Sequence, residues 1–239
     1  MSVRPRPKNW VLHGLLIVLP IRLVVFDVDG TLTKHKSVWW RLHEAFGTTK
    51  EGGIYFDQYF AGEISYQEWA DLDAGLWKHK PVEVVMDLVR NTELVPGAKE
   101  AVEALHKKGI HTAILSGGLD LMADHIASRV GIDYVLTNKL EQNSGMLTGR
   151  VEVLVGWGEK VKEIKMINDH FKIPLSQTAF VGDGKNDISV FSVVGLSIAY
   201  NPEHDEVAEA ADFTVRDNDL RAVVPLILGH GHENIKTKT

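Results

Sequence analysis

Short apolar runs alternate with amphipathic segments through most of the chain beyond residue 90. Within 98–105, apolar residues recur at the i, i+3, i+4 and i+7 spacing of one helix face. The runs at 110–115 and 178–181 are short and mainly apolar, which is typical of buried strands. This alternation predicts an α/β fold in which a doubly wound parallel sheet carries helices on both faces. Further elements follow the same pattern: strands at 21–25, 134–136 and 196–199, and helices up to about 130, over 159–171 and over about 187–193.

Two segments interrupt the alternation. Residues 35–92 are rich in aromatic side chains at helical spacing and contain no clear strand, which predicts a helical insertion. We interpret these rings as the insertion's own core rather than as a substrate-binding surface. Within 139–155, the turn Asn143-Ser144-Gly145 predicts a β-hairpin. Both insertions follow strands whose ends carry polar residues, so they are well placed to act as lids.

The chain therefore divides into a core domain (21–34 and 93–228), a helical cap (35–92), an N-terminal extension (1–20) and a flexible tail (229–239). The extension has the outline of a signal peptide, because basic residues precede an apolar run. It lacks a small-residue cleavage site, and the run is too short for a transmembrane helix. We expect an extra strand, a surface helix or an upstream start codon there rather than export.

Composition narrows the classes of partner. The chain has 26 Lys and Arg against 32 Asp and Glu, a formal net charge of −6, which argues against nucleic acid as the main partner. We also expect no membrane partner. The absence of cysteine excludes disulfides and thiol chemistry and suits a cytoplasmic protein. The sequence leaves both a monomer and a homodimer open.

Two carboxylates mark the end of the first predicted core strand. Asp27 and Asp29 follow the apolar run 21–25, and a glycine turn comes next. The carboxyl ends of strands in an open α/β sheet are where sites are built. Asp27 could attack an electrophile while Asp29 handles the leaving group's proton. The alternative is an Asx turn that only closes a loop.

Two other strand ends carry polar groups as well. Ser116-Gly117-Gly118 follows one strand, and Asp183 is followed by Asn186 and Asp187 after another, while Lys160 begins a predicted helix. Carboxylates meeting at one edge would repel by about 4 kcal/mol per pair at 4 Å and an effective dielectric of ~20. An all-oxygen site of this kind favours Mg²⁺, which usually accompanies phosphate.

Each of these segments has a simpler interpretation. The Ser-Gly-Gly segment could be only a turn, Lys160 a solvated charge, and 182–187 a helix N-cap. Their joint occurrence at strand ends and helix starts is hard to explain in that way. Ser116, the Gly117 N–H and Lys160 would then donate to phosphate oxygens.

The segments 27–31, 115–118 and 182–187, together with Lys160, resemble the four motifs of the haloacid dehalogenase superfamily, and the branch they resemble is phosphoserine phosphatase-like. The resemblance covers roughly residues 21–228. It implies that Asp27 is a nucleophile that becomes an aspartyl-phosphate. Asp29 would be the general acid and then the base, with Thr31 positioning it. Lys162 and Lys165 are rival candidates for the motif lysine, although the spacing favours Lys160.

The remaining roles are implied by the same resemblance. Ser116 and Gly117 would bind phosphate, and Lys160 would neutralise both the phosphate and the nucleophile. Mg²⁺ would be ligated by Asp27, by the carbonyl of Asp29 and by Asp183. Asp187 would orient these ligands or Lys160, and Asn186 would contact the phosphoryl group or the substrate.

The chain departs from this branch in its cap. Where phosphoserine phosphatases carry a glutamate for the substrate's ammonium and an arginine for its carboxylate, an ungapped alignment places Lys36 and Asp73. Both charges are reversed, so the pocket should discriminate against phosphoserine. Lys34, His35 or Lys36 could instead favour a more anionic substrate.

We therefore expect a Mg²⁺-dependent phosphomonoester hydrolase that acts on a small phosphorylated metabolite. The alternatives are a phosphoserine phosphatase proper, or a phosphotransferase or phosphomutase that uses the same nucleophile. Dehalogenation is disfavoured, because cleavage of a carbon–halogen bond does not need the acid supplied by Asp29. A non-catalytic phosphate-binding module is a further alternative, although all the catalytic positions are present.

Overall fold

A seven-stranded sheet forms the centre of the molecule. The structure is a computed structural model that describes residues 10–12, 15–17, 19–35, 37–158 and 160–229. The strands are β1 (Trp10–Leu12), β2 (Leu15–Ile17), β3 (Leu23–Phe26), β4 (His111–Leu119), β5 (Tyr134–Asn143), β6 (Met146–Glu152), β7 (Thr178–Gly182), β8 (Leu196–Tyr200) and β9 (Phe213–Val215). The main sheet has the order β6-β5-β4-β3-β7-β8-β9, and all its pairs are parallel except β5–β6. Strands β1 and β2 form a separate antiparallel pair.

Helices cover the sheet and form the first insertion. They are α1 (Val38–Phe46), α2 (Thr49–Phe60), α3 (Tyr66–Leu76), α4 (Val82–Arg90), α5 (Ala98–His106), α6 (Asp120–Val130), α7 (Lys160–Phe171), α8 (Ile188–Phe191), α9 (Asp205–Ala210) and α10 (Val224–Gly229). Three 3₁₀ helices are found at Leu175–Gln177, Lys185–Asp187 and Leu220–Val223. Over the described residues, no helix is long and apolar enough to cross a bilayer. The predicted α/β fold with a doubly wound, mostly parallel sheet is confirmed.

The central strand β3 sets the position of the site. All four of its residues are buried, and they alternate between two hydrophobic clusters, which contain Val24 and Phe26 on one face and Leu23 and Val25 on the other. A strand with both faces covered needs a continuous apolar run, which is what the sequence supplies. Phe26 is in register with Ile114 of β4 and Val181 of β7. Strands β3 and β7 therefore end at nearly the same level, while β4 runs on to Leu119 and carries Ser116-Gly117-Gly118 just beyond that level.

The two insertions touch each other. Helices α1 to α4 lie between β3 and α5, and β5 and β6 form the predicted hairpin around Ser144 and Gly145, which both have positive φ. Backbone hydrogen bonds join this hairpin to the segment between α3 and α4: the His79 N–H donates to the Leu147 carbonyl at 2.8 Å, and the Leu147 N–H donates to the Lys80 carbonyl at 2.9 Å. The β5–β6 hairpin, called the flap below, and the helical insertion are thus held together through main-chain contacts.

Some elements were not predicted. Helices α9 and α10 and strand β9 are three to six residues long, too short to show a clear period. The predicted division into extension, core, cap and tail stays a prediction. Most of the proposed tail, 230–239, and residues 1–9 of the extension lie outside the described residues.

Candidate active site

Three buried carboxylates meet at the ends of the central strands. Asp27 follows β3, while Asp183 and Asp187 follow β7. One oxygen from each lies within 4.8 Å of the others. Carboxylates this close repel strongly unless a cation offsets them. The all-oxygen donor set fits a hard divalent metal ion.

Lys160 supplies one fixed positive charge next to this cluster. It begins α7 and is fully buried, and its Nζ lies 3.1 Å from Asp27 Oδ1 and 2.7 Å from Asp187 Oδ1. Burial opposes the charge, but the two carboxylates outweigh it and raise the pKa of Lys160 above its ordinary value. The rival lysines, Lys162 and Lys165, are exposed on the same helix. The structure therefore brings Lys160, and not its rivals, to the cluster.

Asp187 holds the loop that carries Asp183. Its Oδ2 accepts the backbone N–H groups of Asp183 and Gly184, both at 3.1 Å, while its Oδ1 accepts from Lys160. A Cβ at position 182 would collide with the Asp187 carboxylate, so the glycine there allows this approach. Asp187 thus orients both the loop and the lysine.

Thr31 positions a different residue from the one expected. The sequence interpretation gave it the task of orienting Asp29, but its buried hydroxyl donates to Asp183 Oδ1 at 3.1 Å. Gly30 lies directly beneath Asp183 with φ +81°, and a side chain at that position would be both strained and blocked. The turn after β3 is therefore shaped to seat the Asp183 carboxylate.

Asp29 is set up to hold a proton near neutral pH. It is partly buried, and its Oδ2 accepts the N–H of Val38 at 3.0 Å, at the start of α1. Burial, helped by the negative charges of Asp27 and Asp183, raises the pKa of Asp29 to about 7, although the Val38 N–H opposes the shift. A carboxyl group with this pKa can give a proton in one step and take one in the next.

The Ser116-Gly117-Gly118 segment lies near the end of β4, with Gly118 close to the Asp29 carboxylate. Ser116 is buried, and its Oγ accepts the Gly118 N–H at 3.0 Å. The Gly117 carbonyl accepts from Asn138 Nδ2 at 3.0 Å, from Trp39 Nε1 at 3.0 Å and from the Tyr66 hydroxyl at 3.4 Å. Burial raises the pKa of Tyr66 to about 12, so the hydroxyl keeps its proton as a donor.

Sequence reasoning missed these three donors. Asn138 is fully buried, and its Oδ1 also accepts the N–H groups of Leu154 and Val155 at 2.8 Å. It fastens the end of β4 to the chain leading into α7. No spacing in the sequence marks it, because its partners lie 16 to 21 positions away.

A cavity of about 620 Å³ lies between this edge of the sheet and the helical insertion. Asp27, Asp29, Ser116, Asp183 and Asn186 line it on the core side. On the other side it is lined mainly by aromatic rings of the insertion, and three of these, Trp40, Phe56 and Phe60, are 44%, 45% and 50% exposed. The interpretation of these rings as internal core is therefore wrong for most of them. The reason is geometric: of the insertion's rings only Trp77 is fully buried, while six others lie on helix faces that border the cavity.

Of the two positions whose charge is reversed relative to the family pattern, the structure describes Asp73. Asp73 is buried in α3 and lines the same cavity, where its Oδ1 lies 3.2 Å from Nε2 of the buried His43. His43 Nδ1 lies 2.9 Å from the Thr48 hydroxyl oxygen. Lys36 lies outside the described residues.

Comparison with known proteins agrees with this geometry. The sequence model of the haloacid dehalogenase-like hydrolases matches residues 24–192. The phosphoserine phosphatase of Methanocaldococcus jannaschii is 31% identical over 210 residues, which cover 86% of this chain and 97% of that protein. That of Streptococcus thermophilus is 30% identical over 206 residues, 86% of this chain and 95% of the relative. Phosphoserine phosphatase SerB2 of Mycobacterium tuberculosis is 32% identical over 193 residues, and the chain spans about half of its length, 47%.

Solved structures give the same result. A phospho-aspartyl intermediate analogue of phosphoserine phosphatase superposes with a TM-score of 0.74 at 29% identity, covering 87% of this chain and 99% of that one. A substrate-bound phosphoserine phosphatase complex superposes with a TM-score of 0.75 at 28% identity, with the same coverage of both chains.

Proposed function

Because the chain belongs to the haloacid dehalogenase-like hydrolase family, we propose that it hydrolyses phosphomonoesters of a small metabolite through a phospho-aspartate on Asp27. The expected resemblance to the phosphoserine phosphatase-like branch is confirmed. One observation carries the proposal. The buried Lys160 holds Asp27 at 3.1 Å, while Asp29, with a pKa of about 7, lines the same cavity.

In the first step, a carboxylate oxygen of Asp27 attacks phosphorus and the bond from phosphorus to the alcohol oxygen breaks. Asp29 gives its proton to that leaving oxygen. Ser116 and the Gly117 N–H donate to the phosphoryl oxygens, and Lys160 offsets their charge. The products are the free alcohol and an aspartyl-phosphate.

In the second step, the ionised Asp29 takes a proton from a water molecule that attacks phosphorus. The bond between phosphorus and the Asp27 oxygen breaks, which releases inorganic phosphate and restores both carboxyl groups. The Asp29 carboxyl group loses a proton and regains one in each cycle, and a pKa near 7 suits that task.

We propose Mg²⁺ as the divalent ion, held by Asp27, Asp183 and the backbone carbonyl of Asp29. When bound, it would neutralise charge on the carboxylates and on the phosphoryl oxygens. We expect Asp187 to orient these ligands rather than to contact the ion, because its oxygens already accept hydrogen bonds from Lys160 and from two backbone N–H groups. Asn186 lines the cavity and would contact the phosphoryl group or the substrate.

A rapid-quench experiment with nitrophenyl phosphate and Mg²⁺ tests the proposal. We expect a burst of nitrophenol equal to the enzyme concentration and an acid-labile phosphoprotein. Asp27→Asn should abolish both, whereas Asp169→Asn, the same change at an exposed position on α7, should not. Mg²⁺-dependent turnover that survives in Asp27→Asn would refute the assignment of the nucleophile.

Phosphoserine phosphatase proper is the second candidate, favoured by the names of the relatives. Asp73 in the cavity weighs against it, because it would repel the carboxylate of phosphoserine. Comparing kcat/KM for phosphoserine with other phosphomonoesters separates the two. A phosphotransferase or phosphomutase would instead pass the phosphoryl group to an added alcohol in preference to water.

In each case we propose that residues 35–92 act as the cap over the core formed by 21–34 and 93–228.

A further inference from the structure

The cap side of the cavity is unusually aromatic. Six Trp, Tyr and Phe rings of the insertion line it, and Trp157 adds a seventh from the core: Trp39, Trp40, Phe56, Phe60, Tyr66, Trp69 and Trp157. Phe60 of α2 and Trp157 of the loop before α7 meet edge to face, with ring centroids 5.7 Å apart, so the ring wall continues from the cap to the core. Aromatic faces carry negative electrostatic potential and attract cations as well as apolar groups.

One buried carboxylate lies within this aromatic wall. Asp73 is 2% exposed, and its Oδ1 lies 3.2 Å from His43 Nε2 without the alignment of a hydrogen bond. Burial raises the pKa of Asp73, and His43 together with the Trp69 side chain only partly offsets that effect. A buried carboxylate beside a substrate cavity is costly unless opposite charge offsets it, and a cationic ligand would supply such charge.

The cavity offers little to bind a second anionic group on the substrate. Of the described residues, no arginine lines it, and Lys185, the lysine that does, is paired with Glu206. Arg41 is the nearest arginine along α1, but its guanidinium donates to the Thr92 hydroxyl at 2.7 Å and to the Leu88 carbonyl at 3.3 Å. Among the described lining residues, a substrate carboxylate would therefore meet two histidines, His43 and His204, but no arginine and no unpaired lysine.

We propose that the substrate is a phosphomonoester of an alcohol that carries an alkylated ammonium group and no carboxylate. The inference rests on the proposed function and specifies its substrate class. The phosphoryl group lies at Asp27, the methyl-covered cation lies against the rings, and Asp73 supplies the opposite charge. A quaternary ammonium fits this wall well, because it has apolar surface, a full charge and no hydrogen-bonding groups left to satisfy.

Other classes of alcohol fit less well. A neutral aryl or alkyl group would fill the cavity but add no positive charge to offset the buried Asp73 carboxylate beyond what the neighbouring His43 provides. A sugar would place several hydroxyl groups against a wall made mainly of ring faces, which offers few hydrogen-bond partners. Phosphoserine would bring its carboxylate toward Asp73.

The test compares two esters of the same shape that differ in charge. Choline phosphate is the cationic probe, and its isostere dimethylbutyl phosphate has carbon in place of the quaternary nitrogen. We expect kcat/KM for choline phosphate to exceed that of the isostere by about tenfold or more. In Asp73→Asn this ratio should fall toward one. In Asp71→Asn, the same change at an exposed position on α3, it should keep its original value.

The outcomes separate the inference from the proposed function. If the isostere or phosphoserine is hydrolysed as well as choline phosphate, the inference is overturned while the phosphatase function stands. An unchanged ratio in a folded Asp73→Asn protein overturns the assignment of Asp73. If Asp73→Asn does not fold, the ratio measured with the unaltered protein still decides. If none of the esters, nitrophenyl phosphate included, is hydrolysed, the proposed function fails first.

Discussion

The indole N–H of Trp39 donates a 3.0 Å hydrogen bond to the carbonyl oxygen of Gly117. Trp39 belongs to α1 of the proposed cap, whereas Gly117 belongs to the segment proposed to bind phosphate. The hydroxyl of Tyr66, on α3, reaches the same carbonyl at 3.4 Å. The position of the cap and the geometry of the phosphate segment are therefore linked through a single carbonyl group.

Replacing Trp39 by Phe removes the donor and keeps an aromatic ring. We expect kcat/KM for nitrophenyl phosphate to fall about two- to tenfold, because one hydrogen bond that fixes the phosphate segment is lost. The thermal unfolding midpoint, measured on the same samples, should change little. An unaltered kcat/KM would show that the link between the cap and Gly117 does not matter for turnover.

Asp29→Asn should keep phosphate and metal binding but lose turnover by about 10²- to 10⁴-fold, because the amide cannot transfer a proton. For the first step, the loss should be larger with an alkyl phosphate than with nitrophenyl phosphate, whose leaving group needs little protonation. Single-turnover measurements with both esters check this. Equal losses in the first step would contradict the role of Asp29 as the acid.

The pH profile offers an independent check on Asp29. Attack on an alkyl ester needs the protonated form, and burial raises the pKa of this group to about 7. As pH rises through that value the acid form is lost, so kcat/KM should decline on the alkaline side of about 7. The decline should vanish in Asp29→Asn. A flat profile between pH 6 and 9 for the unaltered protein would be inconsistent with this assignment.

Lys160→Met removes the buried cation between Asp27 and Asp187. We expect loss of turnover and a destabilisation of about 3–5 kcal/mol, because the two carboxylates lose their partner. Without Lys160 the folded-state pKa of Asp187, which burial already raises to about 7, should rise further, so the loss of stability should be greatest at high pH and smaller as pH falls. Urea unfolding at several pH values measures this. Lys162→Met, at an exposed position on the same helix, is the matched control and should be close to neutral.

Asn138→Ala should weaken both stability and phosphate binding. The side chain donates to the carbonyls of Gly117 and Val155 and accepts two N–H groups, and all of these lose a partner in the variant. We expect a cost of about 2–4 kcal/mol in the free energy of unfolding, together with weaker inhibition by inorganic phosphate. Asn218→Ala, at an exposed position, should show neither change. Wild-type stability in Asn138→Ala would mean that these four contacts are not strong.

Much of the core was predictable because its signals are local. A short apolar run, a pair of acids and a glycine turn can be recognised within ten residues, and the rule that parallel strands end at one edge brings distant runs together. That reasoning predicted the meeting of Asp27, Asp183 and Lys160. It could not find Asn138 or Trp39, because the contacts of these residues with Gly117 span 21 and 78 positions and leave no periodic trace.

The errors have a common physical origin. The spacing of aromatic residues indicates a helix, but it does not tell which of its faces borders solvent, a cavity or another helix. The spacing alone therefore predicts an internal core for the rings of the proposed cap, although several of them line the cavity. Thr31 was assigned to its neighbour Asp29, whereas its hydroxyl meets Asp183, 152 positions away.

The backbone contacts between the flap and the cap bear on how these proteins can be recombined. Residues 145 and 147 are hydrogen-bonded to residues 79, 80 and 82, although more than 60 positions separate the two segments. A chimera that received the cap of a relative without its hairpin would lose these hydrogen bonds and place two non-matching surfaces in contact. The hairpin and the proposed cap are separate in sequence but joined in the fold. A chimera meant to transfer the substrate specificity of one protein to another therefore has to include both segments.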